Sequence, residues 1–198
     1  KVEKGEKTFD VDLNGKSDPA NPKNDILVAS DGEIEDGEAN VDLDFQHVLS
    51  KVTVNIIRGA GFTEGEISGA NPTVELVDFY QTGKVDISTG EVSNLDNQQD
   101  FEPTPIDPNT NIKVSEGVFK DAELSYQALI LPQNKESGIT LVQITFGGNT
   151  YYAEYDKAFN FKAGEHNVLN ITLAKTELKL SATIAPWVDG QSGSITID

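Results

Sequence analysis

The sequence predicts an all-β protein built as an antiparallel β-sandwich. Apolar and polar side chains alternate with a period of two in many short segments. Turn pairs punctuate these segments, and no window of about eleven residues carries a helical stripe.

Residues 9–13 alternate and stop at the turn pair Asn14-Gly15. Residues 25–29 and 41–45 are short candidates on either side of Asp31-Gly32. Val52, Val54 and Ile56 face one way while Thr53 and Asn55 face the other. Segments 74–80 and 84–87 follow, then 124–131. Segments 139–146 and 151–155 flank Gly147-Gly148-Asn149-Thr150, which reads as a hairpin. After Ala163-Gly164, Leu169, Ile171 and Leu173 alternate with Asn170 and Thr172. Leu178, Leu180, Ala182 and Ile184 then share one face against Lys179, Ser181 and Thr183. A weaker strand covers 194–197. Each pattern buries one face, as antiparallel strands do. Two stretches break the pattern. Residues 31–38 are an acidic solvated connector, and 91–111, with Pro103, Pro105 and Pro108, read as a long surface loop.

The chain has 198 residues, 33 acids against 15 bases, a formal net charge of -18, and neither Cys nor Met. A chain of this length buries about 70% of its unfolded surface without needing a metal or disulfide. The charge repels phosphate backbones, and Arg58 is the sole arginine, so nucleic acid is excluded as a partner. Without Cys there is no thiolate zinc site, iron–sulfur cluster or cysteine nucleophile. No apolar run approaches the roughly 18 residues of a membrane span. The chain begins at Lys1 and reads as processed or truncated, with any export signal removed.

Few constellations carry chemistry. Asp10, Asp12 and Asn14, with Gly15, match the start of a calcium loop, but its twelfth position falls on Asn21. The competing reading is a strand burying Phe9, Val11 and Leu13. His47 and His166 are the only histidines, and His47 reads as a hydrogen-bonded structural group rather than a catalytic base. There is no nucleophile elbow and no phosphate-cradling loop, so neither catalysis nor a cofactor is expected. Tyr151, Tyr152 and Tyr155, with Trp187, are candidates for stacking on sugar rings. The same tyrosines, with Phe159 and Phe161, also read as sandwich core.

Three ordered pieces resemble the fimbrillin and major-fimbrial-subunit-like (Mfa-like) proteins of Bacteroides-type bacteria. They are Asp25-Ile-Leu-Val-Ala29 with Leu43-Asp-Phe-Gln-His-Val-Leu-Ser-Lys-Val-Thr-Val54, then Leu129-Ile-Leu-Pro-Gln133, then residues 164–173 leading into Ile184-Ala-Pro-Trp187. The resemblance marks Phe45, His47, Lys51, Pro132, Gln133 and Trp187 as structural motif residues. It implies a transthyretin-like sandwich, exported as a lipoprotein to the outer membrane surface. It also implies polymerisation with other fimbrial subunits by strand exchange, and contact with host or bacterial surface ligands. On this reading residues 1–30 are the last strands of an N-terminal lobe, 31–40 the acidic connector and 41–198 the C-terminal sandwich. Ser194, Ile195, Thr196 and Ile197 either form a donor strand or pair within their own sheet. The alternative function is a monomeric surface glycan-binding module.

Overall fold

The computed structural model describes residues 7–29, 44–106, 117–119, 121–175 and 178–185. Two of the alternating segments of the sequence produce the centre of the first sheet. There β4 (Ser50–Arg58) lies beside β13 (His166–Leu173). Outside β13 runs β14 (Leu178–Ala185), and outside β4 run β8 (Ala122–Ile130) and then β7 (Thr104–Ile106). The pairs β13–β14, β4–β8 and β7–β8 are antiparallel. The pair β4–β13 is parallel, in unbroken register from His166 opposite Lys51 to Leu173 opposite Arg58. Alternation alone does not carry strand direction, so this exception to the antiparallel pattern was not readable from the sequence.

The second sheet is organised by β5 (Thr73–Asp86), a strand of 14 residues. One of its edges pairs with β6 (Val92–Phe101) from Leu76 to Val85. The opposite edge takes two partners end to end. β10 (Ile139–Phe146) covers Thr73 to Leu76, and β1 (Thr8–Asp12) covers Thr82 to Asp86. The hairpin partner of β10 is β11 (Asn149–Tyr155). Two small ribbons complete the fold: β2 (Leu27–Ala29) with β3 (Phe45–His47), and β9 (Gln133–Lys135) with β12 (Phe159–Phe161). The one α-helical segment among the described residues is a single turn, α1 (Glu66–Gly69).

Between the sheets lies the main core. Val52, Val54 and Ile56 of β4 and Leu169, Ile171 and Leu173 of β13 meet Val74, Leu76 and Phe79 of β5. Phe79 and Phe161 pack edge to face with centroids 5.3 Å apart. Each such buried side chain contributes roughly 1.5–3 kcal/mol of transfer free energy. A second cluster joins Val11 and Leu13 to Val48, Leu49, Val85, Leu129 and Leu131. The described part of residues 1–30 therefore packs onto strands from both sheets.

Two readings of the sequence change. Residues 91–111 are not one loop, because β6 and β7 lie within them. Nor does the chain break between 80 and 84. β5 runs through Gly83, where a Cβ would come within 3.2 Å of the Ser93 carbonyl oxygen. A larger residue there would push β6 away, so glycine here serves close strand approach rather than a turn.

Leu169→Ala, which empties a fully buried position, is expected to cost about 3 kcal/mol. Urea unfolding reads this as a lower midpoint with an unchanged slope.

Candidate functional site: the strand edges

The outer strands of the two sheets differ in how their free edges are closed. β6 is long but irregular. Asn94 and Asn97 adopt φ of 50° and 55°, and the pairing with β5 shifts register twice. The Asp100 carboxylate accepts the Asp78 N–H at 2.8 Å, and the Gln98 amide donates to the Asp78 carbonyl at 2.8 Å. Acids and bulges on an exposed edge oppose the addition of another strand. β7 is only three residues long. β11 contacts β14, so these two edges flank one side of the sandwich.

β14 is different. All eight of its residues pair with β13 in unbroken register, and its other edge has no strand partner among the described residues. Leu180 and Ala182 pack on the core, whereas Ile184 is 60% exposed. Beside Ile184 opens a cleft of about 440 Å³ lined by Tyr155, Lys157, Phe159, Ala182 and Thr183. The Tyr155 and Phe159 rings stand edge to face at 5.4 Å and wall it. A regular unpaired edge next to an apolar cleft can take an extended chain by main-chain hydrogen bonding.

The Pro-Gln motif has a structural role. Between the β10 and β1 contacts, residues 77–80 of β5 lack a strand neighbour on that edge. Alternation along β9 turns Gln133 and Lys135 towards this gap. Gln133 Oε1 accepts the Tyr80 N–H at 3.1 Å, and its Nε2 donates to the Leu131 carbonyl at 3.0 Å. Lys135 Nζ donates to the carbonyls of Val77 and Asp78 and lies 4.2 Å above the Phe79 ring. Burial pushes this ammonium down to about 8, opposed by the nearby Asp78 and Asp100 charges.

The model of the fimbrillin-like family matches residues 1–187. This chain belongs to the fimbrillin-like family. Its fold is shared with a “putative cell adhesion protein” of Bacteroides uniformis, at 19% identity and a TM-score of 0.67, over 95% of this chain and 69% of that one. A second protein so described, from Bacteroides ovatus, gives 17% and 0.49 over 76% of this chain and 49% of its own. The tip fimbrial protein Mfa3 of Porphyromonas gingivalis, with C-terminal truncation, gives 14% and 0.44 over 72% and 52%. The fimbrillin-like chain thus spans about half the length of the latter two. Among curated proteins, none matches it.

Other candidates in the fimbrillin-like chain fall in separate places. His47 Nδ1 lies 2.8 Å from the Asp25 carboxylate, tying β3 to the segment before β2. Phe45 is 58% exposed opposite Ala29. Lys51 is half-buried in β4, and Pro132 precedes the gap-filling Gln133. Asp10 is paired with Lys84 at 2.7 Å. Asp12 accepts from Asn14 N–H and Nδ2, while Asn14 Oδ1 accepts from Asn97 and Gln99. No group of three or more His, Cys, Asp or Glu among the described residues is placed to hold a metal. Tyr151 and Tyr155 pack on the core, but Tyr152 is 57% exposed on the opposite face, so the three form no common platform. Trp187, Ser194, Ile195, Thr196 and Ile197, and the connector 31–40, lie outside the described residues.

Lys135 and the His166 site were not singled out from the sequence. His166 is buried, with Nε2 2.7 Å from Thr53 Oγ1, which itself accepts from the Gln127 amide at 2.9 Å. Burial, and secondly the Lys51 charge, push its imidazole down to about 4. The neutral ring keeps one donor and one acceptor nitrogen, and its Nε2 is hydrogen-bonded to the Thr53 hydroxyl. The unfolded chain binds a proton near pH 6.5 that the folded chain refuses until about pH 4. Stability is full above about pH 6.5 and falls as pH drops towards 4, by at most about 3 kcal/mol. In chemical unfolding between pH 7 and 4.5, His166→Gln is expected to remove this part of the slope. Separately, Gln133→Leu leaves the Tyr80 N–H without its acceptor and is expected to cost about 1–3 kcal/mol, read as a lower urea midpoint.

Proposed function

We propose that the chain is a non-catalytic subunit or adhesin of a cell-surface fimbria, assembling by β-strand addition at the free edge of β14. Family membership supports the fimbrial part. The observation that carries the assembly part is the regular edge of β14, which has no strand partner among the described residues and lies beside an apolar cleft, while the longest edge strand, β6, is irregular. In this reading residues 194–197 of a neighbouring subunit are the donor. Ile195 and Ile197 enter the cleft, and main-chain hydrogen bonds to β14 supply affinity. Export as a lipoprotein to the outer membrane surface belongs to the same reading. No helix among the described residues is long and apolar enough to cross a membrane.

Ile184→Lys places a charge at the cleft without touching the core. It is expected to abolish filaments seen by negative-stain electron microscopy while leaving Tm within about 2 °C. Deletion of residues 190–198 is expected to do the same. Filaments persisting in both variants would overturn the strand-addition reading.

A further inference from the structure

A groove of about 650 Å³ lies next to the β14 cleft and shares Asn160 and Lys162 with it. Its size falls in the range of about 300–1,000 Å³ usual for ligand sites. Polar groups reach it from different elements. Thr8 of β1 and Asp86, Glu91 and Ser93 of the β5–β6 hairpin form one wall. Asn134 and Asn160 form the other. Val92, Leu95 and Pro132 line it with apolar surface.

The ribbon β9–β12 explains why the two amides stand together. Gln133 and Lys135 point inward, as do Phe159 and Phe161, so the residues between them point out. Asn134 and Asn160 are directly paired in register, which sets their Cβ atoms about 5 Å apart. Neither amide is committed to a hydrogen bond among the described residues. Across the groove Asp86 is held in place, accepting the Ser88 N–H at 2.8 Å and its hydroxyl at 2.5 Å. These bonds keep its carboxyl below the usual range, hence charged at neutral pH. The lysine on the rim, Lys162, lies 3.4 Å from Glu165. Two carboxylates, Asp86 and Glu91, thus line the groove against one lysine, Lys162, with the Lys7 charge near Asp86 helping to hold its carboxyl low.

We propose that this groove binds a neutral oligosaccharide. Facing amides and carboxylates match pairs of neighbouring hydroxyls, each of which both donates and accepts. Asp86 and Glu91 repel sialylated, sulfated and phosphorylated ligands. An extended peptide would need unpaired main chain and alternating side-chain pockets, whereas the groups converging here are polar side chains. The inference rests on the adhesin half of the proposed function and gives it a ligand class.

The test presents the full chain to an array of neutral, sialylated and sulfated glycans, then titrates the best neutral oligosaccharide by calorimetry. Binding is expected for neutral glycans only. The double variant Ser93→Ala/Asn134→Ala, at exposed positions that do not line the β14 cleft, is expected to weaken it at least tenfold with Tm and filaments unchanged. Should that variant lose stability, Glu91→Gln gives the same readout from a turn. Ile184→Lys is expected to lose filaments and keep glycan binding, which separates failure of assembly from failure of this site. Silence across neutral glycans, binding confined to anionic glycans or to peptides, or binding untouched by the groove variants would overturn the proposal.

Discussion

The second sheet depends on how β5 satisfies its backbone. One edge of this 14-residue strand is shared by β10 and β1, which do not meet. An open stretch of buried N–H and carbonyl groups would cost roughly 1–3 kcal/mol for each unpaired group. Gln133 and Lys135 fill the stretch with side-chain atoms instead of a sixth strand. Because β9 must lie across the gap to do so, β12 follows it, and Phe159 and Phe161 are carried into the core. The groove wall formed by Asn134 and Asn160 is the outward face of that same arrangement.

The first sheet solves a related problem with neutral polar groups. On the face of β4 away from the core, Asn55 Nδ2 donates to Asn170 Oδ1 at 2.8 Å and to the Val118 carbonyl at 2.5 Å. Ser125 donates its hydroxyl to Asn55 Oδ1 at 2.8 Å. Asn55 is fully buried, so these bonds fix which residues of β4, β8 and β13 stand side by side. Register in the sheet centre is thus specified from both faces. β14, in contrast, has β13 as its one strand partner among the described residues, with its far edge unpaired.

The strands with one buried face were legible. β10, β11, β13 and β14 fall within a few residues of their alternating segments because burial imposes the period. β6 was hidden by the same logic. An edge strand exposed on both faces, reading Val-Ser-Asn-Leu-Asp-Asn-Gln-Gln-Asp-Phe, has no apolar side to announce it. β9 and β12 are too short for periodicity, so the Pro-Gln motif was visible only as a resemblance, and Lys135 looked like any surface lysine. The apolar half of the candidate edge was readable in Ile184 and the β14 alternation. That β14 is an edge, and that Tyr155 and Phe159 stand beside it, depends on which strands pair over long distances, which local sequence does not encode.

The parallel pair at the heart of the first sheet also governs when the molecule becomes a folded one. Asn55 and Asn170 are partners across 115 residues of chain. Neither β4 nor β13 has a complete set of neighbours until nearly all the described sequence has been synthesised. Contacts of such sequence separation are reached slowly, because a large loop must close before any of them forms. A nascent chain of this design stays without its central sheet until β13 has followed β4 out of the ribosome. Rigidity therefore comes last to this fold, when two strands far apart in the chain finally meet.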